Sequence, residues 1–117
     1  MTAENQNFKM WQQDHKKLKF TVEDTDNLFG STVTWKMAKE VEDDYLIKKR
    51  TPNSGDEEVE IDGNVFYVNL MPQDTKNRQG LYYHEAEIID VEGRISTVAV
   101  GEMRIMPVLI RSSIENA

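Results

Sequence analysis

The stretch PQDTKNRQGLYYHE (Pro72–Glu85) decides the fold. It holds an acid and a threonine, a short polar run, a glycine, and then two tyrosines entering an apolar–polar alternation. Alternation means a strand, because successive side chains of an extended chain point to opposite faces. Carried on to Ile89, the pattern sends Tyr82, His84, Ala86 and Ile88 to one face and Tyr83, Glu85, Glu87 and Ile89 to the other. The first set makes a core face with one histidine on it. The second faces solvent.

The same signal recurs on both sides. Leu18–Val22 alternates, with Leu18, Phe20 and Val22 inward and Lys17, Lys19 and Thr21 outward. Ser31–Met37 puts Val33, Trp35 and Met37 on one face, and Tyr45–Lys49 is a shorter strand. Glu58–Ile61 and Val65–Leu70 flank Asp62-Gly63-Asn64, a hairpin signal because Asp-Gly tolerates the positive φ such turns need. After a turn at Asp90–Gly93, a strand is predicted over Arg94–Val100. Gly101 is predicted to form a bulge before a last strand, Met103–Ile110. Glu23–Asn27 and Thr51–Asp56 read as loops. Met37–Asp43 is a helical candidate short enough to be only the end of a strand.

Short strands at even spacing, joined by turns, predict an all-β chain folded as an immunoglobulin-like antiparallel β-sandwich of about seven strands. Tyr82 then has a specific part. In immunoglobulin-like folds a tyrosine near the start of the sixth strand bonds back through its hydroxyl to the preceding corner. Asp74-Thr75 followed by Gly80-Leu81-Tyr82 resembles that corner, with a longer spacer. His84 falls where antibody domains place a cysteine, and Trp35 takes the part of the buried tryptophan on the third strand. Trp35, Asp74, Tyr82 and His84 are therefore the predicted structural residues. The chain has no cysteine, so apolar packing around Trp35 must replace a disulfide. Burial of one large apolar side chain contributes about 1.5–3 kcal/mol.

A chain of 117 residues suits one domain. It is predicted to span residues 1–117, with an ordered core over about residues 8–110 and flexible termini. The net charge of -7 argues against general affinity for nucleic acid, which needs a basic surface. MTAENQNFKMWQQ has no basic start followed by an apolar run, so no signal peptide is predicted. No stretch approaches the ~18 consecutive apolar residues of a membrane span, so no membrane insertion is predicted.

Chemistry finds little purchase. The two histidines are His15 and His84. His15 lies in a polar turn, and His84 on a core face reads as a hydrogen-bonded structural group. Asp24–Asn27 begins like a calcium loop, but Leu28 and Phe29 occupy the positions that need an oxygen ligand and a glycine. The acids from Asp56 to Asp62 read as a solvated strand face, and Lys16–Lys19 and Lys48–Arg50 as basic clusters that pair locally. No serine sits in a nucleophile elbow. The expectation is a non-enzymatic protein with no catalytic residue, metal site or cofactor. Binding falls to three aromatics, Trp11, Tyr67 and Tyr83, because aromatics are enriched at interface centres, with Trp11 equally able to cover the edge of the core.

Leu18–Val22, Phe29–Trp35, Leu70–Thr75, Gly80–Glu85, Ile89-Asp90, Gly93, Thr97-Val98 and Gly101 together carry a resemblance. Over roughly residues 8–107 the chain resembles small phage and prophage structural proteins. It is similar to the sandwich domain at the N-terminus of phage baseplate upper proteins, whose long following region has no counterpart in this sequence. The resemblance implies a virion-associated module of the tail, baseplate, neck or head surface that acts by protein–protein assembly. Its partners would be other virion proteins or itself, as a homo-oligomer. It would sit in the host cytoplasm during assembly and then in the virion. Two alternatives stay open. A carbohydrate-binding module would need Trp11, Tyr67 or Tyr83 as a flat exposed platform. A small acidic phage-encoded inhibitor of a host protein would need its negative charge concentrated on one face.

Overall fold

The computed structural model describes residues 4–23, 25, 27–51 and 58–109. They form nine strands and one helical turn. The strands are β1 (Glu4–Asn5), β2 (Phe8–Trp11), β3 (Lys16–Thr21), β4 (Thr32–Ala38), β5 (Ile47–Arg50), β6 (Val59–Asp62), β7 (Val65–Leu70), β8 (Gly80–Ile89) and β9 (Ile95–Met106). The turn, α1 (Pro72–Thr75), lies between β7 and β8. One sheet runs β1-β9-β8-β4-β5 with β2 also on β9, and the other runs β3-β7-β6. The two inner faces enclose a core in which Trp35, Phe66, Met37 and Met103 are fully buried. This is the immunoglobulin-like sandwich in its variable-type layout, with β3-β7-β6 on one side and β9-β8-β4-β5 on the other.

The alternation does what it should. Leu18, Phe20 and Val22, then Val33, Trp35 and Met37, then Tyr82, His84, Ala86 and Ile88 are all buried. Phe20 stacks on Phe66 of the neighbouring strand, with ring centroids 4.9 Å apart. Gly63 has φ 62° and is the first of two residues in the β6–β7 turn, where Asp62 pairs with Val65. The turn also pins the end of β3: the Val22 N–H donates to Asn64 O at 2.8 Å, and the Leu28 N–H to Gly63 O at 2.8 Å.

Two expectations need correction. The strands are nine rather than about seven, and not all antiparallel, because β1 and β2 pair in parallel with β9. These segments are too short to show a period. The bulge lies at Val98 rather than Gly101, since Ala86 pairs with Ala99 and Glu87 with Thr97. Gly101 sits inside one continuous strand for another reason: a Cβ there would overlap the backbone of Gln6. Met37–Asp43 follows the second of its two readings: Met37 and Ala38 end β4 and a turn follows, closed by the Asp43 N–H on Glu40 O. Asp24, Asp26, residues 52–57 and Ile110 onward lie outside the described residues, as do residues 1–3. With them fall much of the Thr51–Asp56 loop and part of the acidic run.

Candidate docking surface

The inner side of β8 is committed to the fold. Trp35 donates its Nε1–H to His84 Nδ1 at 3.1 Å. An indole nitrogen can only donate, so Nδ1 accepts and the imidazole proton sits on Nε2. Nε2 then donates to Gln6 O at 2.6 Å. Phe8 meets the ring edge-on at 5.1 Å and Phe20 lies 6.3 Å away. Phe20 and His84 thus fill the inter-sheet position that a disulfide occupies in antibody domains. Burial lowers the His84 pKa below the ordinary histidine value, against a smaller opposing effect of the Gln6 bond. His84 is therefore a neutral cross-brace with both ring nitrogens occupied inside the molecule.

The corner before β8 is held through Asp74. Its Oδ2 accepts the Met71 N–H at 2.7 Å and pairs with Lys49 Nζ at 2.9 Å. Its backbone carbonyl accepts the Arg78 Nε–H at 3.1 Å. The next residue, Thr75, is fully buried, and its Oγ1 accepts the Gln13 N–H at 2.7 Å. Tyr82 is buried, with Lys39 Nζ 4.7 Å from its ring centroid. Lys49 is the surprise within the basic cluster. As the middle of three alternating residues it points inward, is 8% exposed, and finds its charge partner across the sandwich.

The three surface aromatics do not come together. Tyr67 lies on the outer face of the three-stranded sheet, half-buried, with Lys17 Nζ 5.4 Å from its ring centroid. Lys17 pairs with Glu60 at 3.0 Å, and Glu60 also accepts the Asn69 Nδ2–H at 2.9 Å. That face is internally satisfied. Tyr83 lies on the outer face of the other sheet, so Tyr67 and Tyr83 point to opposite sides of the sandwich. Trp11 is 53% exposed at the end of β2.

Around Tyr83 the six-stranded sheet forms a groove of about 710 Å³. Tyr83, Tyr45, Val41 and Val100 supply its apolar lining, and Lys36 and Glu102 are among its charged walls. Tyr45 is 50% and Val41 78% exposed, so two large apolar side chains stand in water here. Tyr45 precedes β5 rather than lying in a strand. Both Lys36 Nζ, at 5.0 Å, and Lys48 Nζ, at 5.7 Å, lie over its ring. Lys36 and Lys48 are direct cross-strand partners. Two like charges there would repel, and the negative face of the ring offsets that cost. The cue in the sequence is a lone tyrosine ending an acidic turn, Glu40–Asp44.

Among the described residues no group of three or more His, Cys, Asp or Glu could hold a metal ion. No helix among them is long and apolar enough to cross a membrane. No protein-family model matches the chain, and no curated protein matches it. Among solved structures it is similar to the extracellular domain of the voltage-gated sodium channel β4 subunit. The TM-score is 0.46 at 11% identity, covering 93% of this chain and 97% of that one. That structure is described as a parallel homodimer that explains a role in cell–cell adhesion.

Proposed function

We propose that this chain is a non-enzymatic, virion-associated structural module of phage or prophage type. It works by docking onto protein partners through the outer face of its six-stranded sheet. The observation that carries the docking is the groove at Tyr45 and Tyr83, where half-exposed aromatics and valines stand between charged walls. An apolar centre with a polar rim is the anatomy of a protein interface. The virion setting rests on the resemblance of residues 8–107 to phage structural proteins.

The two alternatives lose ground on geometry. A glycan platform would need Trp11, Tyr67 or Tyr83 flat and exposed; Trp11 is 53% exposed, whereas Tyr67 and Tyr83 are half-buried and face opposite ways. The acidic inhibitor needs its negative charge on one face, yet Lys36, Lys48 and Arg50 stand exposed beside Glu85 and Glu102.

The test is incorporation. Particles purified from the phage or induced prophage that encodes the chain should contain it in stoichiometric amount by quantitative mass spectrometry. Tyr83→Asp should remove it from them while the variant stays folded. Particles without the wild-type chain would overturn the virion setting. Undiminished incorporation of Tyr83→Asp would overturn the docking face.

A further inference from the structure

We propose that the groove face meets a second copy of this chain, across a two-fold axis running along the strands between β4 and β8. The inference rests on reading that face as a docking surface. What selects the partner is the order of charge across the sheet.

Lys48, Lys36, Glu85 and Val100 are successive ladder partners in one row. In the next outward row, Arg50, Thr34 and Glu87 are successive partners. The outward charges on β5 and β4 are therefore all positive, and those on β8 are negative. Toward the β4–β5 turn the order inverts. That turn carries Glu40, Asp43 and Asp44, all exposed. On the far side at the same level, Arg104 of β9 pairs with Lys9 of β2, and both are exposed. Charge thus changes sign across the line between β4 and β8 at both levels, and in opposite senses.

A two-fold axis along that line carries each side onto the other without shifting the rows. Lys36 of each copy then faces Glu85 of the other, and each acidic turn faces Arg104 and Lys9. Tyr83 of each copy lies beside the axis over Ala38 of the other, and Val100 of each lies over Lys48 of the other. This reciprocity is what an isologous contact requires. An axis across the strands, midway between the two levels, would also oppose unlike signs, but it would not set Lys36 against Glu85, so exchanging those two charges selects the axis. A uniformly basic or acidic partner would match only half of the pattern.

The test is light scattering coupled to size-exclusion chromatography on the full chain at low ionic strength. Wild type should run at twice the 13.6 kDa chain mass. Lys36→Glu and Glu85→Lys each place like charges at both contacts, and each should weaken the dimer by roughly tenfold or more. Mixed in equal amounts, the two variants regain opposite charges at both contacts and should recover the dimer. Lys36 and Glu85 are also neighbours within one chain, so circular dichroism must show both variants folded. Asp43→Arg mixed with Arg104→Glu repeats the test at positions that are not ladder partners within one chain. A monomeric wild type, or mixtures that stay monomeric, would overturn the proposal. A monomeric wild type whose Tyr83→Asp variant is still lost from particles would overturn the second copy and keep the docking face.

Discussion

Tyr82 and Tyr83 are neighbours in the chain and part company in the fold. Tyr82 points inward with His84, Ala86 and Ile88, where the side chains are buried. Tyr83 points outward with Glu85 and lines an open groove. One strand thus carries two chemistries at a spacing of one residue. The inner face holds the sandwich together, and the outer face carries the groove. Substitutions should separate the two: inner changes should cost stability, and outer ones should cost association alone.

The largest effect is expected at Trp35. Trp35→Ala removes a fully buried side chain and the donor to His84, and should cost about 3–5 kcal/mol in urea unfolding. A loss under about 1 kcal/mol would break the claim that the inner face is the staple. Asp74→Ala leaves Lys49 buried without its partner and should cost about 3 kcal/mol by the same measurement. A smaller loss is expected from Gly101→Ala, about 1–3 kcal/mol, because the added methyl must push Gln6 away from β9. Hydrogen exchange would then show the amides of β1 and Gln6 opening first, and unchanged protection there would refute the close-approach account.

Acid should weaken the inner face more gently. His84 is held neutral, with its folded pKa below the ordinary value. In the unfolded chain the ring takes up a proton as pH falls through about 6.5, while the folded chain resists until lower pH. The unfolded state then binds more protons. The contribution of His84 is therefore complete above about pH 6.5 and is lost as pH falls toward the folded pKa. Thermal melts between about pH 7 and pH 5 should show this slope, and His84→Phe should flatten it. The smallest effect on stability belongs outside: Tyr83→Asp should change it by no more than about 0.5 kcal/mol. A large destabilisation there would erase the distinction between the two faces.

Much of the inner face was legible because burial imposes period two, and Trp35, Tyr82 and His84 all obey it. The outer site was less legible. Tyr83 falls out of the alternation, but its partner Tyr45 is placed by the path of the β4–β5 turn, including the Leu46 N–H bond to Met37 O. Lys49 hid inside a run of three basic residues, although alternation alone sends the middle one inward. The split of β9 into two strands had a real cause misplaced by three residues. Val98 and Ala99 are both buried, so the inward parity changes there, from even positions to odd. Without that extra residue, Met103 and Ile105 would face water. A bulge has no residue signature of its own, whereas Gly101 is conspicuous.

The pairing of β1 and β2 with β9 also bears on how the molecule is made. Glu102 N–H donates to Asn7 Oδ1 across 95 positions of sequence, and His84 reaches Gln6 across 78. β1 and β2 therefore leave the ribosome before β9 and wait for it to appear. Until it does, the six-stranded sheet has an unfinished edge at β8, and such edges recruit other chains. Contacts this distant in sequence also form slowly. The hazard of misassociation is thus concentrated in the interval of synthesis, before the finished molecule exists.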